Sequence, residues 1–396
     1  MGLMTGSPPV EAKQVTADNW EETPWNRWSF QHMSELIPGA RIWRGDGPAT
    51  ELELDPVSVD DVVFETVAGA TETVAAFLER TYTDGLLVLR HGRVAVEQYF
   101  NGMTPHTRHL LMSVSKSMTG ALAGVLVDRG LIEPEREVSH YVPELRSTSL
   151  AGATVRQVLD MSTGTKFSED YDDPEADIRL YESALGWRSA TSDDDGKLDL
   201  FLYIQQLQNC RPHGERFEYR SILTDLLGWI IERAAGRRFA DLMSELVWAP
   251  LGAEHDAELC VDRHGNPMTD GGISVTLRDM ARFGQMYQRR GSWNGQQILS
   301  ARWVDDTRYG DETCRQAFAN SDRADLYPNG HYRNQWWVPD PEAGILVAVG
   351  IYSQFIYIDM PADVVVVKLS SLSVALDPDI SADHRRAFAS IVKAVT

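Results

Sequence analysis

The chain has 396 residues, 43% of them apolar and 24% charged. This is the make-up of a globular protein with room for a large core and no need of a disulfide or metal staple. Acids outnumber bases 58 to 37, a net charge of −21, which argues against nucleic-acid and anionic-membrane partners because phosphates attract Lys and Arg. There is no basic-then-apolar leader and no run of about 18 apolar residues, so a cytoplasmic protein without a membrane span is expected. Cys210, Cys260 and Cys314 form no C-x-x-C pair and read as reduced thiols, with no structural metal.

In chain order, residues 1–60 carry Trp20, Trp25, Trp28, Phe30 and Trp43 without a sustained period. They read as an arm laid over the body, since large aromatics are costly to leave in water. The runs Gly85–Arg90 and Val94–Phe100 flank His91-Gly92-Arg93 and predict a β-hairpin. A helix is predicted from near Ser113, with Met118, Leu122, Val125 and Leu126 on one face and Gly130 at its end. Residues 136–275 read as mostly helical, the strongest segment being Ile222–Ile231 closed by Gly236. Asp279–Gln288 follows as another helix. Strands return at Ile345–Ile351, Phe355–Ile358 and Val364–Leu369, and Ala382–Val395 closes the chain as a helix. The expected fold class is α/β of the α+β type: one antiparallel sheet built from both ends and flanked by helices, with an all-helical insert. The expected units are the arm (1–60), a sheet domain (61–135 with 276–396) and a helical domain (136–275).

The chemistry concentrates in Ser113-Val-Ser115-Lys116. Residues at i and i+3 of a helix share a face, so Lys116 can reach Ser113, a weak nucleophile that needs a neighbouring base. A lysine in a dry pocket can give up its proton or hold a charge beside another base. The free N–H groups of a helix start suit an oxyanion. The register is open from spacing alone, because Ser115 could be the cap instead. Tyr219, in Gly214–Ser221 ahead of the strong helix, can aim its phenol into a cleft or simply pack. Gly350, late in the strand Ile345–Ile351, would let a carbonyl approach the Ile351 N–H; an ordinary buried strand reads as well.

Ser-x-x-Lys at a helix start, then Tyr219-Arg220-Ser221, then a late strand with Gly350, resembles in order the serine β-lactamase and penicillin-binding protein superfamily. Ala153–Gly164 is similar to class C β-lactamases and family VIII carboxylesterases. His109–Ser117, Val158–Met161, Glu169–Tyr171 with Asp173-Pro174, Gly186–Arg188, Gln335–Trp337 and Lys368–Ser371 resemble the 6-aminohexanoate-dimer hydrolases, which cleave nylon oligomers. The resemblance implies a serine β-lactamase-like fold. It also implies Ser113 as the acylated nucleophile, Lys116 and Tyr219 as its proton partners, and the Ser113 and Ile351 N–H groups as the oxyanion hole. By the same resemblance Tyr171 bonds the scissile nitrogen, Glu182 lies near a substrate ammonium, Trp187 lies on a mobile lid, and Asp270 is a substrate-side polar residue. A homodimer is implied too.

Two departures bear on substrate. Where penicillin-processing relatives carry Lys-Thr-Gly or His-Thr-Gly, this chain has Ala348-Val349-Gly350, which removes a cation that helps bind a carboxylate. Tyr352 and Ser353 follow Ile351 where the nylon-oligomer enzymes have His-Gly, so the pocket floor, Tyr352 included, is expected to differ. Between Ser168 and Asp199 eleven acids face three bases; the run reads either as a rim steering amines inward or as a solvated loop. His109 could orient the nucleophile, though a packing role is the plainer reading. The expected function is acyl transfer from small linear amides and esters, with no cofactor. The alternatives are a carboxylesterase with weak or no β-lactamase activity, or a non-catalytic ligand-binding relative.

Overall fold

The computed structural model describes residues 2–188 and 199–396. Its main feature is a seven-stranded antiparallel sheet in the order His331–Arg333, Trp336–Asp340, Ile345–Gly350, Gln354–Asp359, Val364–Ser370, Thr83–Arg90, Arg93–Tyr99. The predicted hairpin and the three late strands thus meet in one sheet, Val364–Ser370 pairing with Thr83–Arg90.

Val364–Ser370 is buried along its whole length, which is why it reads as a dense β-branched run. Its alternation divides two cores. Val365, Val367 and Leu369 join the large core with Leu87 and Leu89. Val364 and Val366 join a smaller one with Leu86, Val88 and the C-terminal helix Pro378–Val395, through Phe388 and Ile391. On the first face the helix Leu277–Gln288 lies directly on the strands. A Cβ on its Gly284 would come within 2.7 Å of Val365, so only glycine permits this approach.

The segment between the two sheet portions holds the helices Val155–Leu159, Asp177–Leu185, Leu200–Gln206 and Ile222–Ala235. Within 136–275 it also holds four short strands that the sequence did not suggest: Thr165–Lys166 and Gln208–Asn209 pair with each other, and the other two are Ala257–Cys260 and Ile273–Val275. The latter two join Gly39–Ile42 and His109–Leu110 in a second antiparallel sheet, ordered 39–42, 257–260, 273–275, 109–110. The predominantly helical expectation for 136–275 is corrected to that extent.

The N-terminal arm packs as its aromatic content suggests, with Trp20 and Phe30 buried and Trp25 and Trp28 half-buried. Trp43 departs from that expectation and stays 43% exposed. Among the described residues no helix is long and apolar enough to cross a membrane.

Candidate active site

The second sheet delivers the chain to Ser113. Leu111 N–H donates to the Ile273 carbonyl (2.9 Å), and Met112 then takes a left-handed conformation, φ +47°. That geometry is unfavourable for a non-glycine residue and persists only when its surroundings hold it. The chain turns straight into the helix Val114–Asp128, with Ser113 at the N-cap position. Every residue from Val114 to Leu126 is buried, so the helix is a fixed mount. The Ser113 side chain makes no capping hydrogen bond; its hydroxyl accepts from Lys116 Nζ at 2.8 Å. Ser115 is engaged elsewhere, accepting from the Ile273 N–H (3.2 Å), which resolves the register.

Lys116 is 1% exposed. Its ammonium also donates to the Asp270 carbonyl (2.8 Å), lies 3.7 Å from the Asp270 carboxylate and sits 5.3 Å from the Tyr219 ring centre. Burial alone would lower its pKa; the charges of Tyr219, Asp270, Glu169 and Asp225 outweigh burial and raise it. Burial raises the Tyr219 phenol, while Lys116 and a hydrogen bond with Ser113 pull the other way without overcoming the rise. At neutral pH the pair therefore rests as ammonium and phenol. Removal of one proton from the pair would leave a base within reach of the Ser113 hydroxyl. The Tyr219 ring is stacked on Trp337 (centroids 5.4 Å, 19°), which fixes where the phenol points.

Two acids, the buried Asp225 and the half-buried Glu169, hold this set in place. Asp225 accepts from the N–H groups of Thr269 (2.6 Å) and Asp270 (3.0 Å) and from the Tyr181 hydroxyl. It thereby ties the loop carrying Lys116's acceptor to the helix Ile222–Ala235. Burial, then Asp270, pushes its pKa well up. Glu169 accepts from the N–H (2.6 Å) and hydroxyl (2.6 Å) of Ser221 and from the Tyr171 hydroxyl (2.9 Å), anchoring the turn that presents Tyr219.

Neither the Ser113 nor the Ile351 N–H donates to a protein group among the described residues, leaving both open to an oxyanion. Gly350 serves a different purpose from the one expected. A Cβ there would lie 2.6 Å from the Leu111 carbonyl, so the glycine lets the strand end abut the backbone that leads to Ser113, rather than making room for substrate.

Two cavities meet at Ser113 and share Tyr171 and Ile351. The smaller, about 20 Å³, is closed by Tyr181, Glu182, Trp187 and Asp270. The larger, about 230 Å³, runs past Glu169, Tyr219, Trp337 and Phe355 to the C-terminal helix.

The remaining expected site residues take distinct places. Tyr171 lines both cavities, with its hydroxyl on Glu169. Glu182 faces the small cavity, but its carboxylate is engaged by Arg179 (2.9 Å) and Arg188 (2.7 Å). Beside it, Glu21 bonds Arg188 (2.6 Å) and has its pKa pushed up to about 8 by burial and by Glu182. Asp270 turns one carboxylate oxygen toward Lys116 at 3.7 Å and keeps the other, Oδ1, buried without a hydrogen-bond partner. Trp187 is 6% exposed, packs edge-on against Trp20 (5.3 Å) and roofs the small cavity over Gly271. Tyr352 lies outside both cavity walls, buried and edge-on to Phe30 (5.1 Å). His109 is buried, with its two ring nitrogens hydrogen-bonded to the Leu110 carbonyl (2.8 Å) and Asp84 (3.0 Å), and makes no bond to Ser113 among the described residues. Of the acidic run, Asp193, Asp194 and Asp195 lie outside the described residues. Glu169, Asp225 and Trp337 were given no role from the sequence; the signals available were the shared stretches Glu169–Tyr171 and Gln335–Trp337 and an acid, Asp225, inside the mostly apolar segment Ile222–Ile231.

The family model described as Beta-lactamase matches residues 70–391. The chain is 39% identical over 372 residues to the 6-aminohexanoate-dimer hydrolase of Paenarthrobacter ureafaciens, covering 94% of this chain and 91% of that one. Among solved structures, a Bacillus anthracis protein assigned by name to the 6-aminohexanoate-dimer hydrolases superposes with a TM-score of 0.88 at 28% identity, covering 98% and 99% of the two chains. EstCE1, a hydrolase with promiscuous acyltransferase activity, superposes with a TM-score of 0.61 at 16% identity over 78% and 94%, which shows the shared fold. With the Ser113–Lys116–Tyr219 set mounted on this framework, the chain belongs to the beta-lactamase family of serine hydrolases.

Proposed function

We propose that the protein hydrolyses linear ω-amino amides of the 6-aminohexanoate-dimer type, and simple esters with them, through an acyl-enzyme on Ser113. The observation that carries this reading is the 2.8 Å hydrogen bond from Lys116 Nζ to Ser113 Oγ, beside the Tyr219 phenol, where the two cavities meet. Once the Lys116–Tyr219 pair has lost a proton, it takes the Ser113 hydroxyl proton as the oxygen attacks the carbonyl. The oxyanion rests on the Ser113 and Ile351 N–H groups. As the tetrahedral intermediate collapses, Tyr219, with Tyr171 beside it, directs a proton to the leaving nitrogen. Water, activated by the same pair, then releases the acid.

The small cavity supports the amine end of the substrate. A water-sized group needs about 10–15 Å³ by this measure, so about 20 Å³ admits one ammonium. Its acidic lining is Asp270, whose Oδ1 has no hydrogen-bond partner while its other oxygen faces Lys116 at 3.7 Å, and Glu182, which Arg179 and Arg188 hold. We propose a cytoplasmic setting; a homodimer rests on the family resemblance alone. The test is a panel of nitrophenyl acetate, nitrocefin and the 6-aminohexanoate dimer, run on wild type and Ser113→Ala. Turnover of the ester and the dimer that vanishes in the variant supports the reading. Ester turnover without dimer turnover leaves a carboxylesterase, and undiminished turnover in the variant removes the mechanism.

A further inference from the structure

We propose that Arg323 and Arg385, in the wall of the larger cavity, bind a carboxylate on the leaving limb of the substrate. The inference rests on the proposed function for which limb occupies this cavity. With the ammonium of the acyl limb in the small cavity beside Asp270, the leaving limb must run along the larger one.

Val347, Val349, Phe355 and Phe388 give that cavity an apolar wall, which suits a polymethylene chain. Beyond the chain stand the two guanidinium groups. Arg385 projects from the C-terminal helix, lies 5.5 Å from the Tyr327 ring and donates to the Ser381 carbonyl (3.3 Å). Arg323 comes from the loop before Tyr327, and its charge also acts on that phenol. Neither arginine forms an ion pair among the described residues, in a chain with 58 acids. By contrast, Arg179 and Arg188 by the small cavity are both paired.

The acids that share the larger cavity are committed. Asp377 accepts the Ile380 N–H (2.9 Å) at the helix start, and Glu169 accepts from Ser221 and Tyr171. Two unpaired guanidiniums past an apolar channel are fitted to a planar anion, which arginine binds with charge-assisted hydrogen bonds. The site is then charged oppositely at its two ends, matching a zwitterion with amine on the acyl side and acid on the leaving side. A substrate bound the other way round meets like charges.

The test uses two esters of equal chain length, 6-acetoxyhexanoate and hexyl acetate, so that its outcome does not depend on amide hydrolysis. The wild-type enzyme should favour the carboxylate in kcat/KM by about tenfold, the worth of one charge-assisted hydrogen bond. In the Arg323→Gln/Arg385→Gln double variant the preference should fall toward one, chiefly through KM, and Arg385→Lys should retain part of it. Free hexanoate should inhibit wild type competitively and more strongly than hexanol. This last measurement decides the matter if the double variant does not fold. A wild-type preference of one, equal inhibition by hexanoate and hexanol, or a preference unmoved by the double substitution overturns the proposal. A preference that behaves as expected in an enzyme that leaves the 6-aminohexanoate dimer intact refutes the amide reading and leaves the carboxylate subsite standing.

Discussion

Replacing Lys368 by Met should stabilise the protein, and by an amount that depends on pH. Lys368 lies on the inner strand Val364–Ser370 with no exposure, its ammonium on the Ser370 hydroxyl and 5.9 Å from the Phe77 ring centre. The charged groups acting on it are Asp84, which raises its pKa, and Arg80, which lowers it; buried His384, on the C-terminal helix, feels its charge. Burial dominates and brings the ammonium down from 10.5 to about 7. Between those values the unfolded chain holds a proton that the folded one does not, so this group makes wild-type stability rise with pH. At about 1.4 kcal/mol per unit, the cost of burying Lys368 is about 4 kcal/mol at pH 7 and about 2 kcal/mol at pH 9. Met keeps most of the volume and loses the bond to Ser370, worth about 1 kcal/mol. The variant should therefore gain about 3 kcal/mol at pH 7, and its advantage should shrink by about 2 kcal/mol by pH 9. Urea unfolding of both proteins at the two pH values measures this. A stability difference that does not change with pH, or a variant less stable at pH 7, would refute the reasoning.

Tyr171→Phe should lower turnover of the amide far more than that of a nitrophenyl ester, whose leaving group needs no proton; equal losses would show that the phenol is structural. Gly350→Ala forces a Cβ to 2.6 Å from the Leu111 carbonyl and should displace the Ile351 N–H. A drop in kcat of about 10²-fold is expected, the usual cost of one oxyanion donor, and an unaffected kcat would count against Ile351. Because Lys116 and Tyr219 are both raised and one proton must leave the pair, kcat/KM should climb with pH on the alkaline side. A profile flat from neutral to alkaline pH would mean that the base is another group.

Five of the main sheet's seven strands were legible as apolar, β-rich runs, Val364–Leu369 most plainly; the short strands His331–Arg333 and Trp336–Asp340 at one edge were not. Nor was the second sheet. Its strands have two to four residues and come from four distant stretches, so no periodicity forms within any of them. Ser113, Lys116 and Tyr219 were legible through local spacing and motif order. Glu169 and Asp225 were not, because their significance lies in which N–H and O–H groups folding brings to them. Glu182 shows the reverse: it lines the small cavity beside Ser113, but Arg179, three residues before it, and Arg188, six after it, take up its charge. Trp43 was placed with the buried aromatics by composition alone, and no contact with the body requires that burial.

The central claim is that Ser113 carries an activated hydroxyl, and the direct measurement is intact-mass and peptide-mapping analysis after treatment with an alkyl fluorophosphonate. One adduct on Ser113 is predicted for wild type, none for Ser113→Ala, and labelling slowed by about 10²–10⁴-fold in Tyr219→Phe, the span of general-base assistance. An active preparation whose Ser113 stays unmodified, or whose adduct maps to another residue, would contradict the account.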